Sequence, residues 1–221
     1  WGKTGFDVRA VASGSVMRLR TSPWGYGRAI YQKLTDGRIV VYAHLDSLAS
    51  PLAERVYRAQ REAGRYTTDI WLEADEILIE QGQVIATTGD TGAGYPHLHL
   101  ELRTASNVPL NLLSYGLDVP DGVAPTIQRV ALVPLDLTSR VNGRHRPHSM
   151  AAVWNGKTNR FEVAEIPFVE GRIGASVKAY DRADGAQNKL APYRHNLLVD
   201  GMLVFTAKYD HIPIEDAHQV G

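Results

Sequence analysis

His97 and His99 stand two residues apart at the end of a glycine-rich run, Gly89-Asp90-Thr91-Gly92-Ala93-Gly94-Tyr95-Pro96. The segment His97-Leu98-His99-Leu100-Glu101 reads as a short strand, and side chains on a strand alternate between faces. His97, His99 and Glu101 then share one face, with Leu98 and Leu100 as an apolar layer on the other. Two imidazoles side by side over leucines suit metal ligation or proton transfer near neutral pH. A polar sheet face with two ordinary histidines fits the same spacing, so other residues must decide. The chain has no cysteine. Any metal site must therefore use His, Asp or Glu, and disulfides and thiol nucleophiles are excluded.

The elements that position these residues are mostly strands. Ser15 to Arg20 alternates Val16, Arg18 and Arg20 against Met17 and Leu19, a strand pattern. Pro23-Trp24-Gly25-Tyr26-Gly27 is a loop, and Ala29-Ile30-Tyr31 is β-prone. Asp36-Gly37 lies between two β-rich runs, a strong hairpin signal. The second arm, Ile39 to Leu45, is read as one strand with Val40, Tyr42 and His44 on one face. A helix is expected from Ser50 as N-cap and Pro51 at the first helical position to Gly64 as the stop. Leu52, Val56, Tyr57, Ala59 and Ala63 form its apolar face, and Glu54 and Arg58 are spaced for an ion pair on the other. Gln81 to Thr88 is a turn and strand feeding the glycine run, whose Gly89, Gly92 and Gly94 serve backbone geometry.

Charge balance narrows the function classes. Lys and Arg number 24 and Asp and Glu 24, with no long basic run, so nucleic-acid binding has no electrostatic support. An apolar content of 44% and a charged content of 22% are those of a globular protein. No apolar run approaches the ~20 residues that span a bilayer, so no transmembrane segment is expected. The chain opens on Trp1-Gly2-Lys3 without an initiator Met and ends on His218-Gln219-Val220-Gly221 without a closing element. We expect it to continue at both ends, with any targeting segment upstream.

Three pieces belong together: Gly5-Phe6-Asp7, Tyr42-Ala43-His44-Leu45 and Pro96-His97-Leu98-His99-Leu100-Glu101. With the loop Trp24-Gly25-Tyr26-Gly27 and the turn Gly82-Gln83-Val84-Ile85-Ala86, their order resembles the lysostaphin/LytM family of zinc metallopeptidases, over roughly residues 3–113. The resemblance implies an antiparallel β fold with an open groove, a peptidoglycan peptide as substrate, an exported, periplasmic or cell-envelope location, and zinc as cofactor. Carried over, Asp7 and His99 are metal ligands, and His44 and His97 flank the water and the substrate carbonyl as catalytic residues. Zinc would lower the pKa of its water to about 7 and polarise the amide. One histidine then takes the water proton while the other supports the oxyanion or protonates the leaving amine. Glu101 shares the His99 face and could orient an imidazole from behind, or face solvent. Tyr26 and Tyr95 are placed at the groove, with loop packing as the alternative.

One position departs from the family pattern. Four residues before Asp7 the family has His, and here it is Lys3. Lysine, with a pKa of about 10.4, is charged at neutral pH and offers no lone pair. Asp7 and His99 alone make two ligands where catalytic zinc sites use three. Two outcomes follow. Lys3 pairs with Asp7 in a zinc-free pseudoenzyme that binds peptidoglycan or regulates another cell-wall hydrolase. Or an outside group, such as His145 or His148, completes a metalloendopeptidase.

The remainder forms a second domain. The peptidase-like domain is assigned to 1–116, a Pro/Gly-punctuated linker to 117–125, and a small β-sandwich to 126–221. Its short β-like runs are Ile127–Val133, Ala152–Trp154, Arg160–Val163, Ile173–Tyr180, Asn196–Val199 and Leu203–Ala207, with turns at Asn155-Gly156, Asp184-Gly185 and Asp200-Gly201. His195, His211 and His218 lack metal-ligand spacing. The fold class is mainly β throughout.

Overall fold

A computed structural model describes residues 2–210 of the chain. His211 and His218, and the expected second-domain residues beyond 210, lie outside the described residues. Two compact units separate at Gly116 and Leu117, the first also taking in Asp210 and the second ending at Tyr209.

The first unit contains strands β1 (Asp7–Arg9), β2 (Gly14–Thr21), β3 (Ala29–Leu34), β4 (Ile39–Ala43), β5 (Leu45–Leu48), β6 (Thr68–Trp71), β7 (Leu78–Ile79), β8 (Val84–Thr88), β9 (His99–Arg103) and β10 (Pro109–Leu110), with helix α1 (Leu52–Ala63) between β5 and β6. Its large sheet runs β10-β9-β4-β3-β2-β6, with β7 also on β2, and a small sheet runs β1-β8-β5. Every described pairing in both sheets is antiparallel.

The large sheet has two dissimilar faces, and alternation makes them. Val16, Leu19, Ile30, Val40, Tyr42 and Leu102 point to one side and pack with Leu52 and Val56 of α1 in the main core. Ala29, Tyr31, Ile39, Val41 and Ala43 point to the other, with Met17 and Tyr26 against them. The polar atoms of the main core are paired: the Tyr42 hydroxyl donates to Gln32 Oε1 at 2.9 Å and accepts from the Val11 amide at 3.0 Å. Asp36-Gly37 turns β3 into β4 as expected, with Gly37 at φ 86°.

Three local expectations are corrected. The strand from Ile39 ends at Ala43, and His44 takes a left-handed φ of 59° before β5 begins at Leu45. Helix α1 is capped at Pro51 rather than Ser50, and the Ser50 hydroxyl instead engages Glu54 at 2.8 Å, so the Glu54–Arg58 pair does not form. Tyr57 is 65% exposed and lies off the buried face of the helix, which Leu52 and Val56 form with Ala59 partly buried beside them. Gly64 ends α1 at φ 62°, in the left-handed conformation a helix stop favours.

The second unit holds β11 (Thr126–Pro134), β12 (Arg140–Val141), β13 (His148–Asn155), β14 (Arg160–Val163), β15 (Val169–Glu170), β16 (Ile173–Tyr180), β17 (Arg194–Val199) and β18 (Met202–Lys208). A four-stranded sheet runs β14-β13-β11-β16, and β12-β15 and β17-β18 form two-stranded sheets. The six short β-like runs all fall in strands, with the turns at Asn155-Gly156 and Asp200-Gly201 between paired neighbours. In this unit Val141, Met150 and Pro192 are the buried apolar side chains among the described residues. No helix of the described residues is long and apolar enough to cross a membrane.

Candidate metal centre

The register of β4 and β9 places the site. Ala43 lies opposite His99, Val41 opposite Glu101 and Ile39 opposite Arg103. His99, Glu101 and Arg103 therefore share the second face of the large sheet, away from the α1 core. Leu100 lies opposite Tyr42 and packs against that core. Leu98 is 37% exposed, so the apolar layer expected under the histidines is only partly buried.

His44 reaches the same place by leaving its strand. A regular β4 would point His44 with Val40 and Tyr42 into the main core, on the side opposite His99. The left-handed turn at His44 redirects it, at a conformational cost of about 1–2 kcal/mol. The Tyr26 carbonyl accepts from the His44 amide at 3.0 Å and the Arg28 carbonyl accepts from Leu45 at 3.1 Å, which hold the turn. Its ring then lies 4.6 Å from that of His97 and 5.4 Å from that of His99, centroid to centroid.

Two glycine loops clamp this corner together. A Cβ on Gly27, at φ 61°, would sit 2.0 Å from the Thr91 carbonyl oxygen, and one on Gly92, at φ 72°, would sit 2.5 Å from the Gly25 carbonyl. Only glycine permits that approach. Thr91 is the hub between them. Its hydroxyl accepts from the Arg28 amide and donates to the Leu45 carbonyl, each at 2.9 Å, and its carbonyl accepts from His44 Nδ1 at 2.9 Å.

Each imidazole is anchored through one nitrogen. Carbonyls only accept, so the proton lies on Nδ1 of His44, donating to Thr91, and on Nδ1 of His97, donating to the Tyr95 carbonyl at 2.8 Å. His99 Nε2 donates to Glu101 Oε1 at 2.5 Å. In the neutral rings the lone pairs are then on His44 Nε2, His97 Nε2 and His99 Nδ1. Burial pushes the His44 pKa down, and the neighbouring His97 and His99 add to that effect against the Thr91 hydrogen bond, so His44 is neutral at pH 7.

Glu101 is tied on both oxygens. Besides His99, Oε1 accepts from the Tyr26 hydroxyl at 2.6 Å, and Oε2 accepts from Arg103 Nε at 2.7 Å. Burial alone would raise its pKa, but the hydrogen bonds from His99 and Tyr26 and the Arg103 charge together bring it down to about 2. The same burial, with the bond to Glu101, pushes the Tyr26 phenol up to about 12. Arg103 also reaches Tyr26 Oη at 2.9 Å and Asn107 Oδ1 at 2.8 Å. Tyr95 is 65% exposed, and its backbone carbonyl accepts from His97 Nδ1.

His44, His97 and His99 form a group able to hold a metal, their ligand nitrogens all within 4.8 Å of one another. Asp7 stands outside it. On β1, its carboxylate pairs with Arg9 at 3.0 Å, not with Lys3. The Lys3 backbone lies beside the site: its carbonyl accepts from the Thr88 hydroxyl at 2.6 Å, and the Gly2 amide donates to Pro96 at 3.1 Å. His145 and His148 are engaged inside the second unit, with Ser139 at 3.2 Å and Glu165 at 2.9 Å. The residues that sequence reasoning missed are Thr91 and Arg103. Arg103 extends the two-residue alternation of His97, His99 and Glu101 and was legible there. Thr91 carried no signal, because its role depends on contacts with distant loops.

No family model matches the chain. It is 29% identical over 102 residues, 46% of the chain and 81% of the relative, to the lipoprotein NlpD of Yersinia enterocolitica. Among solved structures it is similar to the catalytic domain of the prophage-encoded protein EnpA from Enterococcus faecalis (20% identity, 52% of this chain and 73% of that one, TM-score 0.38). It is also similar to the catalytic domain of the antimicrobial peptidase lysostaphin from Staphylococcus simulans (20% identity, 52% and 73%, TM-score 0.37). The resemblance to the lysostaphin/LytM family is supported. The first unit contains the His-x-His strand with its glycine loop and the Tyr-Ala-His-Leu turn, and the residue four before Asp7 is Lys3.

Proposed function

We propose that this chain is a LytM-type protein of the bacterial cell envelope that binds the peptide part of peptidoglycan and is impaired in cutting it. One observation carries the reading: the family's ligand set does not fit a metal here. Lys3 supplies an ammonium where a lone pair is needed, and Asp7 is engaged by Arg9 at 3.0 Å on an exposed strand. Bound in a complete family site, zinc supplies an activated water and a polarised carbonyl. Without that set the remaining groups still recognise a peptide. His44 and His97 present ring nitrogens, and the exposed ring of Tyr95 and that of Trp24, 78% exposed, offer aromatic contact nearby in sequence. The Tyr26–Glu101–Arg103 cluster stiffens the floor beneath them.

The test is incubation with purified sacculi, scoring co-sedimentation and soluble peptide separately. Co-sedimentation is expected, with peptide release at the background seen for His99→Ala. Peptide release by the natural chain that His99→Ala abolishes would restore the endopeptidase reading.

A further inference from the structure

We propose that His44, His97 and His99 form a divalent-metal site of their own, displaced from the family's Lys3–Asp7–His99 position. The proposal rests on the preceding reading in one respect, that the family's ligand set is not assembled. Three observations carry it. First, the three ligand nitrogens gather within 4.8 Å, while Asp7 is held by Arg9. Second, each ring gives one nitrogen to an oxygen: His44 to Thr91, His97 to Tyr95, and His99 to the Glu101 carboxylate. Ligating histidines are held in this way, because the outer acceptor fixes the tautomer and turns the lone pair to the metal. Third, the site is stiff where it must be. His44 is locked by its left-handed turn, and Glu101 is locked by Tyr26 and Arg103.

Three imidazoles with an open fourth position suit zinc and its neighbours in the first transition series. Tetrahedral zinc, with Zn–N of about 2.0–2.1 Å, wants nitrogens about 3.4 Å apart, so binding requires the rings to close in, with the less buried His97 and His99 moving towards the locked His44. A consequence separates this site from a peptidase centre. With His44 and His97 used as ligands, neither is available to take the water proton or support the oxyanion. A metal held by these three residues would offer a Lewis-acid contact to a carbonyl or carboxylate of a bound peptide, without turnover.

Zinc alone is the probe, titrated into chelator-stripped full chain, with retained metal measured by elemental analysis and affinity by calorimetry. One zinc per chain is expected. His44→Ala, His97→Ala and His99→Ala should each weaken binding by more than ~10-fold, while Asp7→Asn and Lys3→Ala leave it unchanged. His97 is half-exposed, so its variant stays informative if the buried His44→Ala fails to fold. Failure of the natural chain to take up zinc overturns the proposal. So does loss of zinc in Asp7→Asn, which returns the metal to the family position, and so does retention in His97→Ala and His99→Ala. Zinc uptake without sacculus binding removes the preceding reading and leaves the metal site. Sacculus binding without zinc uptake does the reverse.

Discussion

Two strands of the first unit carry the same chemical pair at the same spacing. Asp7 and Arg9 lie two apart on β1, and Glu101 and Arg103 two apart on β9. In the first pair the side chains are 54% and 60% exposed. In the second, Glu101 is 16% exposed and Arg103 4%. Surface ion pairs contribute about 0–1 kcal/mol, whereas a buried charge that loses its partner is expensive. A strand spacing therefore says which groups can meet, and the layer they meet in decides whether the meeting matters. Asp7, the residue on β1 that the resemblance implies as a ligand, sits in the cheap environment and is held in a surface pair. The histidine side on β9 sits in the expensive one.

That contrast is broken most severely at Arg103. Arg103→Ala leaves the Glu101 carboxylate half-buried without its guanidinium and removes a donor from Tyr26 and Asn107. A loss of about 3–5 kcal/mol is expected in urea denaturation. A loss below 1 kcal/mol would place the pair in the same class as Asp7–Arg9. Next comes the loop clamp. Gly27→Ala puts a methyl 2.0 Å from the Thr91 carbonyl on a left-handed backbone, and about 2–4 kcal/mol should be lost. Thermal melting reads the stability, and loss of zinc uptake reads the release of His44 from Thr91.

Acid sharpens the comparison further. The Glu101 carboxyl is held at about 2 in the folded chain against 4.5 as a free group. Its pKa is depressed by folding, so its stabilisation is complete above the unfolded value and fades as pH falls from about 4.5 towards 2. Glu101→Gln should flatten the stability–pH curve in that window. An unchanged slope would mean that other carboxylates carry the acid sensitivity.

How much of this was legible follows the same division by layer. Strand alternation showed that His97, His99 and Glu101 share a face, and β9 shares it with Arg103 by the same rule. The hairpin at Asp36-Gly37 and the strands of the second unit were legible because turn chemistry and period-2 runs are local. The position of His44 was not. Alternation assigned it to the face of Val40 and Tyr42, and only the left-handed turn, fixed by Tyr26 and Arg28 from a distant loop, brings it to His99. The resemblance put Asp7 in the metal site. Its capture by Arg9, two residues on, was in the sequence as a spacing but not as a preference, since nothing local says that β1 lies at the surface.

The smallest effect belongs to that pair and tests the logic from the other end. Arg9 donates from Nη2 to Asp7 at 3.0 Å and from Nη1 to the Gly82 carbonyl at 3.1 Å, all in exposed surroundings. Arg9→Ala should therefore change stability by no more than about 0.5 kcal/mol in urea denaturation. It frees the Asp7 carboxylate, but Lys3 still stands four residues before it, where the resemblance implies a histidine. Combining Arg9→Ala with Lys3→His supplies the missing lone pair and releases its partner, and should raise zinc affinity above that of either single variant. A rise in the double variant that survives His44→Ala would show metal held at the family position by Asp7 and His99. A rise abolished by His44→Ala would show that the three-histidine group keeps the metal even when the older site has been rebuilt beside it.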